Sequence, residues 1–426
     1  MGIKIAVVGG GSTYTPELIE GFLTRRERLP VDELVLLDID PQRLEIVGGL
    51  ARRILTRNEW AGELVLTDDR DRAFDGAHFV IVQLRVGGQA ARLVDETLPL
   101  EFGCIGQETT GPGGFAKALR TVPVVLDIAE QTARRGAKDA WVVDFTNPVG
   151  IVMQALLDAG HRAIGLCNSA IGFQRQIAGL LDVEPDRVAL EHVGLNHLTW
   201  ERAARVDGVD RLPDLIAREA DSIGEHIGIP PSLIRLLGAI PSYYLRYFYL
   251  TDEVLREQLS GAKRSRAEEV MAIEEGLLEM YRDPNLTEKP KLLEKRGGAF
   301  YSEAAAQLIA SLYDSTGDDQ VVDIRNDGAI PDLPGDAVVE IPARIDRDGA
   351  HPGRFAPLPP EMLGLVQQVK AYERLTVKAA IDGDRDAALK ALIANPLVGR
   401  YSVATGLLEA LLQANRKHLP RFFPQG

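Results

Sequence analysis

The stretch IKIAVVGGGSTYTPELIEGFLTR, residues 3–25, decides the fold of this 426-residue chain. It opens with a continuous apolar run of the kind that forms a buried strand. Three glycines follow, and then a helical pattern with Leu18 and Ile19 on one face and with Ser12 or Thr13 as the cap. A strand, a glycine-rich turn and a helix in this order predict the first unit of a dinucleotide-binding α/β domain.

The same alternation continues outward from this unit. Five further apolar runs have the pattern of strands, and helical patterns lie between several of them, notably at 41–57 and 117–135. The five runs cover residues 33–40, 63–67, 77–88, 139–150 and 161–168. Parallel βαβ units of this kind predict a Rossmann-like, doubly wound parallel sheet, which we assign as an NAD-binding domain over residues 1–170.

Beyond residue 171 the pattern changes from alternation to blocks. Residues 187–208 have the pattern of antiparallel strands with a turn at Asp207-Gly208, and 321–349 that of two strands joined at Asp327-Gly328. Residues 211–283 and 358–419 are mainly helical in pattern. We therefore predict an α+β domain over 171–426 that carries substrate and metal contacts and an oligomer interface.

Composition excludes several classes of partner. The formal charge is −14, so the field around the protein repels nucleic acid and anionic membrane surfaces. No apolar stretch approaches the roughly 20 residues that a membrane span needs, and the N-terminus runs directly into a strand without a cleavage-site pattern. Two cysteines are too few for a disulfide framework. These features predict a cytoplasmic protein.

The glycine motif carries a nucleotide-binding signal that is incomplete. Gly9 and Gly11 fit the fingerprint, but Tyr14 stands where its last glycine belongs. Asp38, at the end of the second strand, is placed to bind an adenosine ribose and to repel a 2′-phosphate, which favours NAD over NADP. The alternative is a strand-to-helix turn that binds no nucleotide.

Cys167 and His197 are the candidate metal ligands. Taken alone, a buried cysteine is usually core and a lone histidine is usually structural. As a pair they are fewer than a structural zinc site uses, so an ion held here would keep open positions, as catalysis requires. The softness of thiolate and imidazole on its own favours zinc.

Polar residues and aromatic residues cluster at two further places. One group lies at the predicted carboxyl ends of strands, where open α/β sheets bind ligands. Its members are Arg85, Arg92, Asp95, Glu96, Gln107, Glu108 and Asn147. The other is PSYYLRYFYL, residues 241–250, with four tyrosines. Solvated loops and aromatic packing are the alternative interpretations, and nothing in the spacing makes one tyrosine a base.

Several motifs in order resemble one family. They are GGGSTYTPELI, RVGGQAARLVDETLPLEFGCIGQETTGPGG, DFTNP, GLCN, GLNHLTW and NDGAIPDLPGDAVVEIP. Together they resemble glycoside hydrolase family 4, and within it the 6-phospho-β-glucosidases, from residue 1 to about residue 415. The resemblance implies a fold like that of lactate and malate dehydrogenases, and a hydrolase that uses NAD in place of two carboxylates.

The resemblance also implies a redox mechanism. NAD⁺ takes hydride from C3 of the sugar, a tyrosine removes the C2 proton, the aglycone leaves, water adds, and NADH returns the hydride. A divalent ion, by similarity Mn²⁺ and not zinc, stabilises the enolate. The partner is a phosphorylated disaccharide or aryl glycoside, and relatives of this kind are commonly homodimers or homotetramers.

Site residues are carried over from the resemblance position by position. The cofactor residues are Gly9, Gly11, Ser12, Thr13, Asp38 and Arg43, and the metal ligands are Cys167 and His197. The substrate residues are Arg92, Asn147 and Arg266, with Arg264 as the alternative for the 6-phosphate. The catalytic positions are Tyr244 as base, with Tyr243 or Tyr247 as alternatives, Glu108 beside it, and Asn168.

Asn168 bears on whether the substrate's glycosidic bond is α or β. Members of the family that act on α-linked substrates carry an aspartic acid after the metal cysteine, whereas an asparagine cannot donate a proton as an acid does. By similarity this favours β-linked substrates. The alternatives are a 6-phospho-α-glycosidase, a lactate- or malate-type dehydrogenase, and a non-catalytic NAD-binding sensor.

Overall fold

The computed structural model describes residues 2–297 and 300–424. In those residues one sheet contains thirteen strands. They are β1 (Ile3–Val8), β2 (Val31–Leu37), β3 (Glu63–Thr67), β4 (Phe79–Val82), β5 (Trp141–Asp144), β6 (Ala163–Gly165), β7 (Val188–Leu195), β8 (Leu198–Val206), β9 (Val209–Asp210), β10 (Ile240–Pro241), β11 (Asp318–Arg325), β12 (Val338–Asp346) and β13 (Gly349–Pro352).

Sixteen α-helices accompany the sheet in the same residues. They are α1 (Thr15–Thr24), α2 (Pro41–Arg57), α3 (Arg70–Phe74), α4 (Gly88–Thr97), α5 (Gly111–Arg135), α6 (Val149–Asp158), α7 (Ser169–Leu181), α8 (Leu212–Ile227), α9 (Pro231–Leu237), α10 (Arg246–Tyr249), α11 (Thr251–Leu259), α12 (Arg266–Tyr281), α13 (Tyr301–Asp314), α14 (Pro360–Asp382), α15 (Arg385–Ala394) and α16 (Tyr401–Ala414). No helix among them combines the length and apolarity that a membrane crossing needs.

The first six strands form the parallel half of the sheet. Their order is β3-β2-β1-β4-β5-β6, the order of doubly wound dinucleotide-binding folds. Every residue of β1, β4 and β5 is buried, because helices cover both faces of a parallel sheet and select apolar runs. The predicted Rossmann-like sheet is confirmed.

The antiparallel half continues the same sheet from β6. Strand β11 pairs with β6, and the order then runs β11-β12-β7-β8-β10. The predicted turn at Asp207-Gly208 is present and leads into β9, but the hairpin that joins β7 to β8 turns earlier, at Asn196-His197. The sequence analysis did not predict the turn at Asn196-His197, which contains neither glycine nor proline.

One hydrophobic core extends under both halves. It includes buried side chains from β1 through α16, and α14 packs on α5 and α6, so a helix from the C-terminal part covers the parallel half. The division of the chain at residue 170 therefore falls within a single sheet, and as a domain boundary it stays a prediction.

Candidate functional site

A cleft of about 1310 Å³ opens at the carboxyl ends of the parallel strands. Ten of the predicted site residues line it: Gly9, Ser12, Asp38, Arg43, Arg92, Glu108, Asn147, Asn168, Tyr244 and Arg266. The other four, Gly11, Thr13, Cys167 and His197, lie one layer behind the lining, each within two residues or one ring contact of a lining residue. The structure thus brings the predicted set to one place.

The glycine turn after β1 has the close backbone contacts that its sequence predicts. Gly9 has φ +85°, and a Cβ there would lie 2.8 Å from the carbonyl oxygen of Gln83. The amides of Gly9 and Gly10 both donate to the carbonyl of Leu37, each at 2.9 Å. A side chain at residue 9 would force the turn away from β2 and β4 and so reshape the nucleotide end of the cleft.

Asp38 and Arg43 hold this turn from the side of β2 and α2. Oδ2 of Asp38 accepts the amide of Gly11 at 2.8 Å, and Nε of Arg43 donates to the Gly11 carbonyl at 2.8 Å. Asp38 Oδ1 accepts the amide of Asp40, whose own side chain caps α2. Both predicted cofactor residues therefore also fix the shape of the turn.

A second set of contacts reaches the turn from α12, and sequence reasoning did not single it out. The Glu274 carboxylate pairs with Arg43 at 3.1 Å and with Arg296 at 3.0 Å, and it accepts a hydrogen bond from the Thr13 hydroxyl at 3.4 Å. The Tyr281 hydroxyl donates to the Thr13 carbonyl at 2.7 Å. The only signal was an acid on the buried side of an amphipathic helix. The C-terminal part of the chain thus completes the nucleotide end of the cleft.

Cys167 follows β6 and is buried, with its Sγ 3.4 Å from the Ser169 hydroxyl. Burial raises the pKa of the thiol far above its ordinary value, so a thiolate needs a cation beside it. This behaviour fits a metal ligand, whose deprotonation comes with the ion.

His197 occupies the hairpin turn between β7 and β8 with φ +62°, a left-handed conformation that costs a non-glycine residue about 1 kcal/mol or more. Its Nδ1 is buried and has no hydrogen-bond partner among the described residues. Burial lowers the pKa of the imidazole to about 4, so the ring is neutral and keeps a free lone pair at neutral pH. An orphaned nitrogen of this kind fits a metal ligand.

Tyr244 joins the two candidate ligands. Its ring stacks on His197 with centroids 3.6 Å apart and planes 15° apart, and it lies within electrostatic reach of Cys167. The imidazole thus contacts the Tyr244 ring, and the thiol lies near enough to influence the same phenol. Across the described residues, no group of three or more His, Cys, Asp or Glu is arranged to hold a metal, so the pair would leave coordination positions open.

The neighbouring tyrosines differ in their placement. Tyr243 packs on Tyr244 at 4.1 Å and is partly exposed, whereas Tyr247 lies 6.5 Å away in a small apolar cluster. Tyr301, which sequence reasoning missed, also lines the cleft and bonds Asn147. Tyr301 starts α13, far along the chain, and no local pattern marks it. Of the three tyrosines considered from sequence, Tyr244 alone has a described ring contact with His197.

Glu108 lies at the centre of a cation cluster. It pairs with Arg85, with Arg92 at 3.2 Å and with Lys117 at 2.7 Å. Burial alone would raise the pKa of Glu108, but the three cations hold it well below its ordinary value. Burial, followed by the charge of Arg85, lowers the pKa of Lys117 to about 7. Glu108 is thus a fixed anion that arranges cations, which leaves it no proton to exchange near neutral pH.

Arg92 is linked through one carboxylate to the helix that Arg266 begins. Arg92 Nε donates to Glu96 at 2.7 Å, and the other oxygen of Glu96 accepts the amide of Ala267 at 2.7 Å, in the first turn of α12. Arg266 begins that helix, lines the cleft beside Arg264, and bonds Glu269 and the carbonyl of Lys295. The two predicted substrate arginines therefore belong to one connected structure.

Of two polar residues near the strand ends, one departs from its predicted environment and the other keeps it. Asp95, predicted among the ligand-binding residues with a solvated loop as the alternative, does not line the cleft and is fully buried in a two-pronged pair with Arg120. Asn168 lines the cleft as the residue before α7, so its position next to Cys167 is as expected.

A glycine turn, an acid after β2 and a cleft at the strand ends define the class of dinucleotide-binding α/β proteins. Models of the Family 4 glycosyl hydrolase and of its C-terminal domain match residues 4–183 and 192–398. The chain belongs to glycosyl hydrolase family 4.

Individual relatives agree with this family over the whole chain. A Bacillus subtilis (strain 168) protein named "Probable 6-phospho-beta-glucosidase" is 43% identical over 99% of this chain and 98% of its own length. The 6-phospho-beta glucosidase of Thermotoga maritima, solved with manganese, NAD⁺ and glucose-6-phosphate, superposes with a TM-score of 0.92 at 36% identity, covering 98% of this chain and 99% of that one. Malate dehydrogenase of Plasmodium falciparum shares the fold, with a TM-score of 0.55 at 15% identity over 89% of this chain and 99% of that one.

Proposed function

We propose that this protein hydrolyses 6-phospho-β-glucosides by transient oxidation of the sugar, with NAD⁺ and a divalent ion, Mn²⁺, as cofactors. The observation that carries the proposal is the stack of Tyr244 on His197 beside Cys167, at the inner end of a dinucleotide cleft. What the Bacillus and Thermotoga relatives are named for, and what the Thermotoga crystals contain, supports the same activity.

The cofactors would supply the redox and Lewis-acid chemistry, and the protein would hold them in place. When bound, NAD⁺ supplies a hydride acceptor and the divalent ion supplies a Lewis acid. Gly9, Gly11, Ser12, Thr13, Asp38 and Arg43 would hold NAD⁺, and Cys167 and His197 would hold the ion. The fit rests on the close-packed glycine turn at one end of the cleft and on the orphaned Nδ1 of His197 at the other.

Tyr244 takes the proton from C2 of the sugar. Burial raises the pKa of its phenol well above the ordinary value, so the group is protonated until positive charge lies beside it. Its stack on a metal-ligand imidazole places it where that charge would be. Proton transfer by a positioned side chain of this kind contributes about 10²- to 10⁴-fold in rate.

Arg92, Asn147 and Arg266 position the substrate. Asn147 lines the cleft, is hydrogen-bonded to Tyr301 and would contact the sugar. Arg92 lines the same cleft and is held by Glu96 and Glu108. Arg266, or its neighbour Arg264, stands at the mouth of the cleft, where a guanidinium suits the 6-phosphate. Glu108 acts by arranging Arg85, Arg92 and Lys117, and is thus a positioning residue.

Asn168 supports specificity for β-linked substrates. It lines the cleft directly after the metal cysteine, where an acid could protonate the leaving group of an α-linked substrate. An amide cannot do so. Departure of the aglycone would then rely on water, which suits activated or β-linked leaving groups.

The test is turnover of matched α- and β-linked 6-phosphoglucosides in D₂O, with NAD⁺ and Mn²⁺ omitted in turn. We expect the β-linked substrate to turn over only when both cofactors are present, and the product to carry deuterium at C2. Retained hydrogen at C2 would rule out proton abstraction there. Stoichiometric NADH from a hydroxy acid would indicate a dehydrogenase instead, and preference for the α-linked substrate would indicate a 6-phospho-α-glycosidase.

We also propose that the protein works in the cytoplasm as a homodimer or homotetramer. Both cysteines are free and buried, as suits a reducing compartment. Light scattering of the purified protein gives the oligomer size, and fractionation of the cells that make it gives the compartment.

A further inference from the structure

Four residues form one row across four neighbouring strands of the antiparallel half. Asp323 on β11 lies opposite Gly165 on β6 and opposite Glu340 on β12, and Glu340 in turn lies opposite Gly194 on β7. Residues directly opposite each other in a sheet place their side chains on the same face. The row therefore sets two carboxyl groups side by side between two glycines.

The row ends next to the two candidate metal ligands. Cys167 follows Gly165 by two residues, and His197 follows Gly194 by three. Strands β6 and β7 are not neighbours, because β11 and β12 lie between them. The spacing of the two ligands is thus set by the two strands that carry the acids. The fit at Gly165 is close, since a Cβ there would lie 2.9 Å from Cβ of Asp323.

Glu340 is held as a buried anion. Its Oε1 lies 2.7 Å from Nε2 of His192, and its Oε2 accepts the side-chain amide of Asn196 at 2.6 Å. His192 is held on its other side by Glu201 at 2.5 Å. Asn196 directly precedes His197 in the hairpin turn, so Glu340 is anchored to the segment that presents the ligand.

Asp323 has a different partner. Both of its carboxyl oxygens are buried, and within residues 2–297 and 300–424 no donor reaches either of them. Its contact is the Glu340 carboxylate, which can only accept, so Asp323 must be the neutral acid that donates. Burial and then the charge of Glu340 raise the pKa of Asp323 well above its ordinary value, in agreement with this. The pair of Asp323 and Glu340 thus keeps the one negative charge of Glu340.

We propose that Glu340 and Asp323 are positioning residues for the divalent ion, which hold β6 and β7 in register and place one water-excluded negative charge behind Cys167 and His197. Glu340 lies within electrostatic reach of both ligands. A site with two protein ligands gains most from such a charge, because few other groups offset the ion's own. The proposal rests on the proposed function, since that function requires the ion.

The test measures Mn²⁺ binding directly, by electron paramagnetic resonance of the free ion in titrations of the purified protein, together with NAD⁺ affinity. We expect Glu340→Gln to weaken Mn²⁺ binding about 10- to 100-fold and to leave NAD⁺ binding unchanged. Asp323→Asn keeps a neutral donor to Glu340, so its Mn²⁺ affinity should stay within about threefold of the wild type. Glu191→Gln, on the same hairpin but paired with Arg202 and Arg205, is the matched control.

The outcomes separate the two proposals. Wild-type protein that binds no Mn²⁺ contradicts the proposed function, whereas wild-type binding that Glu340→Gln does not weaken overturns the positioning role alone. A loss in Asp323→Asn as large as in Glu340→Gln also overturns it, because Asp323 would then act as an anion. If Glu340→Gln does not fold, Asn196→Ala removes only the link to the turn, and unchanged Mn²⁺ affinity in that variant counts against the proposal.

Discussion

The imidazole of His197 and the phenol of Tyr244 are stacked nearly parallel, with 3.6 Å between their centroids. The candidate metal ligand and the candidate base are therefore in direct ring contact. A positive charge drawn to the imidazole would lie next to the phenol that must lose its proton. We therefore expect metal binding at His197 to favour proton removal by Tyr244.

Replacing Tyr244 tests this coupling. Tyr244→Phe keeps the ring stack and removes only the hydroxyl, so we expect kcat to fall by about 10²- to 10⁴-fold while Mn²⁺ and NAD⁺ still bind. Steady-state kinetics and C2 deuterium exchange are the measurements. Tyr247→Phe, a change in an apolar cluster 6.5 Å away, should leave kcat within a few fold of the wild type. A larger loss in Tyr247→Phe would assign the base to that residue.

Replacing Cys167 tests the metal site. Cys167→Ser replaces a thiol that can bind as an anionic thiolate with a hydroxyl that stays neutral, so we expect Mn²⁺ binding and activity to be lost and NAD⁺ affinity to be retained. Calorimetric titration measures both ligands on one sample. Cys104→Ser is the control, because Cys104 is equally buried and its sulfur contacts the carbonyl of Phe102 and the side chain of Arg400, neither of which lines the cleft. Undiminished turnover in Cys167→Ser would remove the thiol from the site.

Arg266 is expected to bind the 6-phosphate. Arg266→Ala should raise KM for phosphorylated substrates with little change in kcat, since a ground-state contact is lost. Arg282→Ala is the matched control, because Arg282 forms the same i,i+3 pair with Glu279 at the other end of α12. If Arg264→Ala raises KM and Arg266→Ala does not, the phosphate lies on the neighbouring guanidinium.

The pair of Asp95 and Arg120 is expected to matter for stability alone. Both side chains are fully buried, and Asp95→Asn would leave the guanidinium without its counter-charge, which costs about 3 kcal/mol in the free energy of unfolding. Urea denaturation measures the change. Glu288→Gln, which breaks an exposed pair with Arg57, should leave the free energy unchanged within error. Equal stability of Asp95→Asn and the wild type would contradict this assignment.

His192 is expected to make stability fall at alkaline pH. Although burial opposes its charge, Glu201 and Glu340 raise the pKa of His192 from 6.5 to about 10 in the folded protein. A raised histidine pKa stabilises the fold fully below pH 6.5, and that contribution is lost as the pH rises through 10. Denaturation at pH 7, 8 and 9 should therefore show the advantage of the wild type over His192→Gln shrinking, by at most about 1.4 kcal/mol per pH unit. A constant difference would mean that His192 is neutral.

The parallel half was predictable because its signals are local. Apolar runs bounded by turn residues predicted the first six strands. The helix predicted at 41–57 is α2, and both of its ends match. Tyr301, Glu274 and Glu340 escaped prediction for one physical reason. Each reaches its part of the site through the fold, from elements distant in the chain, and long-range contacts leave no periodicity in a single sequence.

Some residue roles could not be assigned from sequence spacing and needed the structure. Spacing alone could not choose among the tyrosines at 243, 244 and 247. In the structure Tyr244 stacks on His197, whereas the described ring contacts of Tyr243 and Tyr247 are with Tyr244. The structure also separates the polar residues near the strand ends into two groups. Arg92 and Glu108 line the cleft, but Asp95 belongs to the buried framework, and only burial separates the two roles.

The junction between the two halves of the sheet is the contact of β6 with β11. Strands on either side of it share backbone hydrogen bonds and one core. A nucleotide-binding half taken from a dehydrogenase would therefore meet a strand edge, and the acids on it, that it did not evolve to pair with. Chimeras in this family should therefore be assembled at the loops around the cleft. Recombination between β6 and β11 would leave two strand edges with unpaired backbone groups, and such edges promote aggregation.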